Sequence, residues 1–364
     1  MFPITACIMT RDEEDVIANC IHSIRPYVQE VLVLDTGSTD NTIHIAALNG
    51  AKVVSSDWED HFASSRNKMI ELASQPIILM LDADETVRDN LQQQFQQVVH
   101  ELLNNSSLVG RIKIVNRIGD NEEAISSISR IFTKSNSIHY VGSVHEQLRL
   151  KDGSSPDVFD SNIIVDHEGY SLKRLKEKNK VKRNAELLLK ELEINPSDVY
   201  ALFQLGRTYA ISEEHDKASY YLEKAYQLSN GAYSFDSTII QTYGWTLLKT
   251  GQLSKLLQIL QTGIGRYSDL TDLYYLYGCS LIEMKTEQAL ALIPQAFQSC
   301  LELGEVDSSK YETVLGVGTF RAHYNLGVYY EITGQYSLAK DYYHLSAAQQ
   351  FQPAVQRLNL LVNK

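Results

Sequence analysis

Two apolar runs that each end abruptly in acids constrain this chain more than any other feature of its 364 residues. Val31-Leu32-Val33-Leu34 runs into Asp35-Thr36-Gly37-Ser38-Thr39-Asp40, and Leu79-Met80-Leu81 runs into Asp82-Ala83-Asp84. Residues 4–10, 31–34, 51–54 and 77–81 read as strands, with helical spacing over 13–25, 41–48 and 62–74 between them. That alternation predicts βαβ units and a mostly parallel sheet. The acids at 12–15 suit the dipole of the first helix, and Asp40 suits the N-cap of the second. Ligands of such sheets gather outside the carboxyl ends of the strands. Asp35, Asp82 and Asp84 therefore mark where chemistry belongs. Asp-x-Asp offers hard oxygens to Mg²⁺ or Mn²⁺ while a diphosphate completes the shell.

A helix over about 89–103 and short strands in 109–115, 128–133, 139–149 and 162–166 complete the first part of the chain. The character then changes near residue 168. Ser171–Arg183 carries Lys173, Arg174, Lys176, Lys178, Lys180, Lys182 and Arg183 against one acid, Glu177. A solvated helical connector is the first reading of that run, and attraction of an anionic ligand the second. Beyond it, Leu205-Gly206-x-x-Tyr209 with Ala218 and Ala225, and Leu326-Gly327-x-x-Tyr330 with Ala339, follow tetratricopeptide spacing. Gly244 and Gly278 mark weaker copies, and the Gly-rich stretch 304–320 interrupts the period. Repeats bury their apolar faces only by stacking, so a solenoid with a concave side is expected. The division is 1–168, a connector over 169–195, and repeats over 196–364.

A net charge of −12 argues against a nucleic-acid surface, which needs a basic footprint. Cys7, Cys20, Cys279 and Cys300 show no Cys-x-x-Cys spacing, which points to reduced thiols and a cytoplasmic protein. The N-terminus reads as a first strand, not a signal peptide. No apolar run approaches the roughly 20 residues of a membrane span.

Taken in order, Thr10-Arg11-Asp12-Glu13-Glu14, Val33–Thr42 and Leu81-Asp82-Ala83-Asp84-Glu85 resemble family 2 glycosyltransferases of the GT-A fold, over roughly residues 3–168. Asp57-Trp58 with Phe62-Ala63-Ser64-Ser65-Arg66-Asn67-Lys68 is similar to members carrying tetratricopeptide repeats. Val144-His145-Glu146 and His167-x-Gly169-Tyr170 are similar to the sublancin-type peptide glycosyltransferases that modify glycocin bacteriocins. The resemblance implies an α/β, Rossmann-like GT-A domain followed by an all-α solenoid. It further implies a hexosyltransferase that moves a sugar, with inversion, from a UDP-sugar such as UDP-glucose to a Cys or Ser side chain of a small peptide. Mn²⁺ or Mg²⁺ would be the cofactor.

Carried onto this sequence, the resemblance implies a nucleotide-sugar site of Thr10, Glu13, Asp35, Ser38, Arg66, Asn67, Asp82 and Ala83. Asp82, Asp84 and His167 would hold the metal, and imidazole complements carboxylates on Mn²⁺. Glu146 is the preferred base on the acceptor side, with His145 its rival. Each residue has a plainer reading: Asp35 a turn aspartate, Arg66 a surface arginine, His145-Glu146 a surface pair, His167 a structural histidine, Trp58 a pocket wall. The repeats would partly grip the acceptor peptide, and a homodimer through them is an arrangement a solenoid allows. A glycan or lipid-linked acceptor, or a repeat protein with an inactive transferase domain, are the rival readings. A nucleotidyltransferase would want a Gly-rich basic loop where residues 10–14 are acidic.

Overall fold

The computed structural model describes residues 1–117, 123–135, 137–167, 174–307 and 310–361. The Gly169-Tyr170 part of the last motif and Lys173 lie outside the described residues, as do the side chains at 174–180. The protein forms two compact units, Met1–Arg117 with Ile125–Leu175, and a helical array within Lys176–Lys364.

The first unit is built on one large sheet. Its elements begin with β1 (Phe2–Thr10), α1 (Ile17–Ile24), β2 (Val28–Asp35), α2 (Thr42–Leu48), β3 (Lys52–Ser55), α3 (Phe62–Leu72), β4 (Ile77–Asp82) and β5 (Glu85–Val87). There follow α4 (Gln92–Asn104), β6 (Val109–Arg117), β7 (Glu123–Thr133), β8 (Ile138–Val141), β9 (Gln147–Leu150) and β10 (Val158–His167). The strand order is β3-β2-β1-β4-β7-β6-β10-β5, with β8 and β9 paired apart as a hairpin. β1 runs parallel to both β2 and β4, β2 to β3, and β6 to β10. β7 runs antiparallel to β4, and β5 antiparallel to β10.

Both faces of the central strands are covered, which is why they read as unbroken apolar runs. Ile4, Ala6, Ile8, Val31, Val33, Leu79 and Leu81 share one core with Ile17 and Ile21 of α1 and Phe95, Val98 and Leu102 of α4. The alternate residues Cys7, Leu32, Leu34, Ile78 and Met80 share another with Met69 and Ile70 of α3 and Tyr140 of β8. Each such buried Ile or Leu contributes about 1.5–3 kcal/mol. The sheet grows from β1 towards β3 on one side and crosses to β4 on the other. The gap between β1 and β4 is therefore the topological switch point, where an open α/β sheet leaves a crevice for ligands. Register places Thr10 beside Asp35 and Met9 beside Asp82, so three strand ends meet at that crevice.

Two local expectations change. α1 begins at Ile17 with no acid in its first turn. The acids before it stitch two loops together instead: Asp12 Oδ1 accepts from Thr39 N at 2.7 Å, and Glu14 Oε2 accepts from Asn41 N at 2.9 Å. Asp40 lies one residue before the N-cap of α2, where it accepts from the backbone N–H groups of Thr42 (2.9 Å) and Glu14 (3.2 Å).

The second unit comprises α5 (Arg174–Ile194), α6 (Val199–Ile211), α7 (His215–Ser229), α8 (Asp236–Lys249), α9 (Leu253–Arg266), α10 (Thr271–Met284), α11 (Glu287–Leu303), α12 (Phe320–Ile332), α13 (Tyr336–Ala347) and α14 (Gln352–Leu361). α5 covers most of the basic run, and Lys182 makes an exposed i,i+4 pair with Glu186 at 3.9 Å. Glycines sit where paired helices cross. A Cβ on Gly206 would lie 2.6 Å from Leu222, on Gly278 2.7 Å from the Phe297 ring, and on Gly327 2.6 Å from the Tyr343 ring. This close approach is the physical content of the Leu-Gly-x-x-Tyr pattern. Among the described residues no helix is long and apolar enough to cross a membrane.

The crossing sites predict opposite effects from one chemical change. Gly278→Ala should destabilise the array by about 1–3 kcal/mol through overpacking. Gly265→Ala, on α9 with nothing within 4 Å of the added methyl, should stabilise it by about 0.5–1 kcal/mol. Urea unfolding followed by helical circular dichroism reads both, and an unchanged midpoint for Gly278→Ala would contradict the packing argument.

Candidate active site

Asp82, at the end of β4, is gripped by two arginines from different elements. Its Oδ1 accepts from an Arg66 terminal nitrogen at 3.0 Å, and its Oδ2 from one of Arg130 at 2.9 Å. Arg66 comes from α3 and Arg130 from β7. Both guanidiniums are buried, while the Asp82 side chain keeps 37% of its surface exposed. Burial opposes the charge, but Arg130 and Arg66 together hold the Asp82 carboxyl far below the usual range. The line of charges extends at both ends. Arg66 Nε donates to Glu146 Oε1, and Arg130 lies 3.6 Å from Glu85 Oε1. Glu85 Oε2 in turn accepts from the Asp82 backbone N–H at 2.8 Å. Burial and the neighbouring aspartates push Glu85 up to about 7, against the pull of Arg130. Burial also acts on Glu146, but the Arg66 charge leaves it lowered.

Asp84 points elsewhere. Its Oδ2 lies 3.2 Å from Nε2 of His167, at the end of β10. The hydrogen bond to Asp84 raises the His167 pKa despite burial. Among the described residues no group of three or more His, Cys, Asp or Glu side chains converges as a metal cage. The Asp82 carboxylate is engaged by the arginines, so Asp84 and His167 form the pair with suitable donors. One carboxylate and one imidazole, with phosphate and water completing the shell, fit Mn²⁺ or Mg²⁺. The expected metal set of Asp82, Asp84 and His167 is thus divided, with Asp82 compensated by two cations.

Several of the residues expected on the nucleotide side lie on or beside the stitched loops. Asp35 is 1% exposed, and its carboxylate accepts from Gly37 N and Ser38 N at 3.0 Å each and from the Ser38 hydroxyl. The turn-aspartate reading is therefore realised, whatever else Asp35 contacts. Gly37, at φ +103°, supplies the left-handed backbone this turn requires. Ser38 Oγ accepts from Asp12 N at 2.9 Å, and Thr42 Oγ1 from Glu13 N at 2.8 Å. Thr10 Oγ1, at the end of β1, is buried with no partner among the described residues. Ala83 is buried between the two aspartates.

Asn67 serves the scaffold: its amide donates to Tyr140 O at 2.9 Å and accepts from Tyr140 N at 2.8 Å, latching α3 to β8. The latch sets Arg66 beside the Tyr140 ring, 5.6 Å from its centroid, with one guanidinium nitrogen, Nη1, buried and unpartnered among the described residues. His145 is half-buried, adjacent to Glu146, and holds a left-handed φ of +52°. That conformation is uncommon for a non-glycine residue and clusters at functional sites. Trp58 packs edge-on against Phe62 at 4.7 Å, as a wall residue would.

Arg130, Glu85 and Tyr140 escaped the sequence reading. The signal for Arg130 was a single cation inside the β-forming run Ile125–Phe132. A charge there has to be paired or functional. Glu85 was visible in the motif but had no assigned role.

The cluster generates a stability prediction. Asp82→Ala leaves two buried guanidiniums short of their shared anion and should cost about 3 kcal/mol, the low end for an uncompensated buried charge because Asp82 is partly open to water. Asp84→Ala removes a partly exposed contact to His167 and should cost less. Thermal unfolding of the two variants in metal-free buffer ranks them; equal losses would contradict the clamp.

Residues 5–168 match the Glycosyl transferase family 2 profile. A TPR repeat-containing protein of Synechococcus elongatus is 28% identical over 57% of this chain and 52% of its own length. The protein thus spans about half of that relative. The glycosyltransferase SunS of Bacillus phage SPbeta is 27% identical over 78% of this chain and 68% of its own. An uncharacterized glycosyltransferase of Rickettsia typhi is 31% identical over 32% of this chain and 39% of its own. Residues 5–168 are therefore a family 2 glycosyltransferase domain, joined to a tetratricopeptide-like helical array.

Proposed function

We propose that this protein is a metal-dependent inverting glycosyltransferase that moves a hexose from a UDP-sugar to a Cys or Ser side chain of a small peptide. The observation that carries the reading is the division of labour in Asp82-Ala83-Asp84: the first aspartate is fixed by Arg66 and Arg130, and the second is turned to His167. In this reading Asp84 and neutral His167 hold Mn²⁺ or Mg²⁺. When bound, that cation neutralises charge on the departing diphosphate. The stitched loops 10–14 and 35–42 frame the nucleotide, with Thr10 offering an unpartnered hydroxyl and Arg66 an unpartnered N–H to it.

The base role shifts within the His145-Glu146 pair. Glu146 is bound to Arg66 with a lowered pKa, which suits anchoring Arg66 and makes it a weak proton acceptor. We assign the acceptor proton to His145. Peptide acceptors are supported by the similarity to SunS over most of this sequence and by the Val144-His145-Glu146 motif. The repeats would contribute to holding that peptide.

Incubation with UDP- and GDP-sugars, Mn²⁺ or Mg²⁺, and peptides bearing a single Cys or Ser tests the reading. UDP release should require the divalent ion. Asp84→Ala or His167→Ala should lower kcat/KM by at least about a hundredfold, as loss of several kcal/mol of charge stabilisation demands. Undiminished turnover in excess chelator would overturn the metal role. Transfer only to a free or lipid-linked sugar would overturn the peptide acceptor.

A second comparison separates the two base candidates. A thiol with a pKa near about 8.5 needs less help than a serine hydroxyl. His145→Ala should therefore slow the Ser peptide more than the Cys peptide. Glu146→Gln, acting through Arg66, should slow both equally. A larger loss on Ser for Glu146→Gln would return the base role to Glu146.

A further inference from the structure

A groove of mixed polar and aromatic make-up runs along the helical array between α7 and α9, with α8 as its floor. α8 packs against α7 and against α9. Two cavities lie end to end in the groove, of about 210 and 170 Å³, and share Tyr226, Gln227 and Thr262 at the waist between them. A water molecule takes up about 30 Å³, so each cavity holds more than a single solvent molecule. Only together do they reach the roughly 300 Å³ at which pockets for small molecules begin. Helical spacing makes the groove continuous, because Lys255, Thr262 and Arg266 share one stripe of α9. From Lys255 to Arg266 that stripe extends about 16 Å.

Both ends are charged, and the charges cancel. At one end Lys255 Nζ donates to Glu223 Oε1 at 2.6 Å and stands 5.7 Å over the Tyr243 ring. At the other, Arg266 lies over Gly231, where a Cβ would collide with its guanidinium. Asp236 of α8 lines this second end and is 1% exposed. Its Oδ2 accepts from Tyr233 N at 2.9 Å, while Oδ1 is buried with no partner among the described residues. A buried carboxylate oxygen in that state is costly until a donor meets it. The soft torsion of the carboxylate lets that oxygen turn to the cavity. Two acids against two bases leave no surplus cation for a phosphate or a nucleotide, which take charge-assisted pairs. An apolar ligand is equally ill-suited, since Gln227, Thr262 and Arg266 put exposed polar groups along the rim. Tyr226 is half-buried, 6.1 Å from the Tyr243 ring, and offers an apolar ring with a hydroxyl tip. Amide, hydroxyl, carboxylate and guanidinium groups around an aromatic surface match a neutral molecule that alternates C–H faces with hydroxyls.

We propose that the groove between α7 and α9 binds a short neutral oligosaccharide. A sugar hydroxyl at the far end donates to the unpartnered oxygen of Asp236 and accepts from Arg266. A ring packs on Tyr226 at the waist, where Gln227 and Thr262 meet its hydroxyls. The inference concerns the helical array and stands whether or not the peptide-acceptor reading holds.

The test applies the labelled full-length protein to an immobilised panel of neutral and acidic oligosaccharides that includes maltotriose, cellotriose and triacetylchitotriose, with retained sugars confirmed by titration. At least one neutral oligosaccharide should be retained. Saturating UDP with Mn²⁺ should not displace it, which separates the groove from the nucleotide side of the transferase domain. Thr262→Trp fills the waist from an exposed position and should abolish binding with helical circular dichroism unchanged. Asp236→Asn keeps the shape, removes the charge and should weaken binding roughly tenfold, a difference of about 1.4 kcal/mol. Should Asp236→Asn misfold, Arg266→Ala, at an exposed residue, serves with the same readout. Retention of acidic sugars alone, retention of none, or equal affinity for Thr262→Trp and the parent would overturn the proposal.

Discussion

The clamp of Asp82 between Arg66 and Arg130 is the interaction on which the rest of the candidate site depends. Each arginine belongs to a different element, so the aspartate joins α3, β4 and β7 at the carboxyl edge of the sheet. Glu146 and Glu85 extend the network to the β8–β9 hairpin loop and to β5. An array of like and unlike charges this buried is costly to assemble, and it holds only while every member is paired. Its consequence is geometric: with Asp82 committed to the arginines, Asp84 is the aspartate turned to His167.

The same edge is shaped by a second device. The loops after β1 and β2 exchange hydrogen bonds in both directions, with Asp12 and Glu14 accepting from Thr39 and Asn41 while Ser38 and Thr42 accept from Asp12 and Glu13. Backbone groups that a nucleotide could otherwise have to order are thereby fixed beforehand, and preorganisation of this kind lowers the entropic cost of binding. Among the described residues, Thr10 and Arg66 each keep a polar atom without a partner, which is where a ligand's polar groups gain most.

Much of this was legible in the sequence because it follows from period and position. Unbroken apolar runs such as Ile77–Leu81 announced strands covered on both faces, and the acids after them announced the ligand edge. The Leu-Gly-x-x-Tyr spacing announced helix crossings, because a Cβ at position 278 would lie 2.7 Å from the Phe297 ring and only glycine avoids that clash. What was not legible depends on contacts between residues far apart in sequence. Arg130 meets Asp82 across 48 positions, and no local pattern encodes that distance. The acids at 12–15 looked like helix-dipole partners, and only the tertiary structure shows them holding the neighbouring loop. Glu146 reads in sequence as a base, and nothing local announces its contact with Arg66, 80 positions away.

The central claim is that Asp84 and His167, and not Asp82, are the protein's ligands to the divalent ion. Pulsed electron paramagnetic resonance of the protein with Mn²⁺ and UDP tests it most directly, because a coordinated imidazole couples its nitrogen to the manganese spin. The account predicts one such coupling, lost in His167→Ala and kept in His145→Ala and Asp82→Asn. Absence of any nitrogen coupling, or its survival in His167→Ala, would contradict the account.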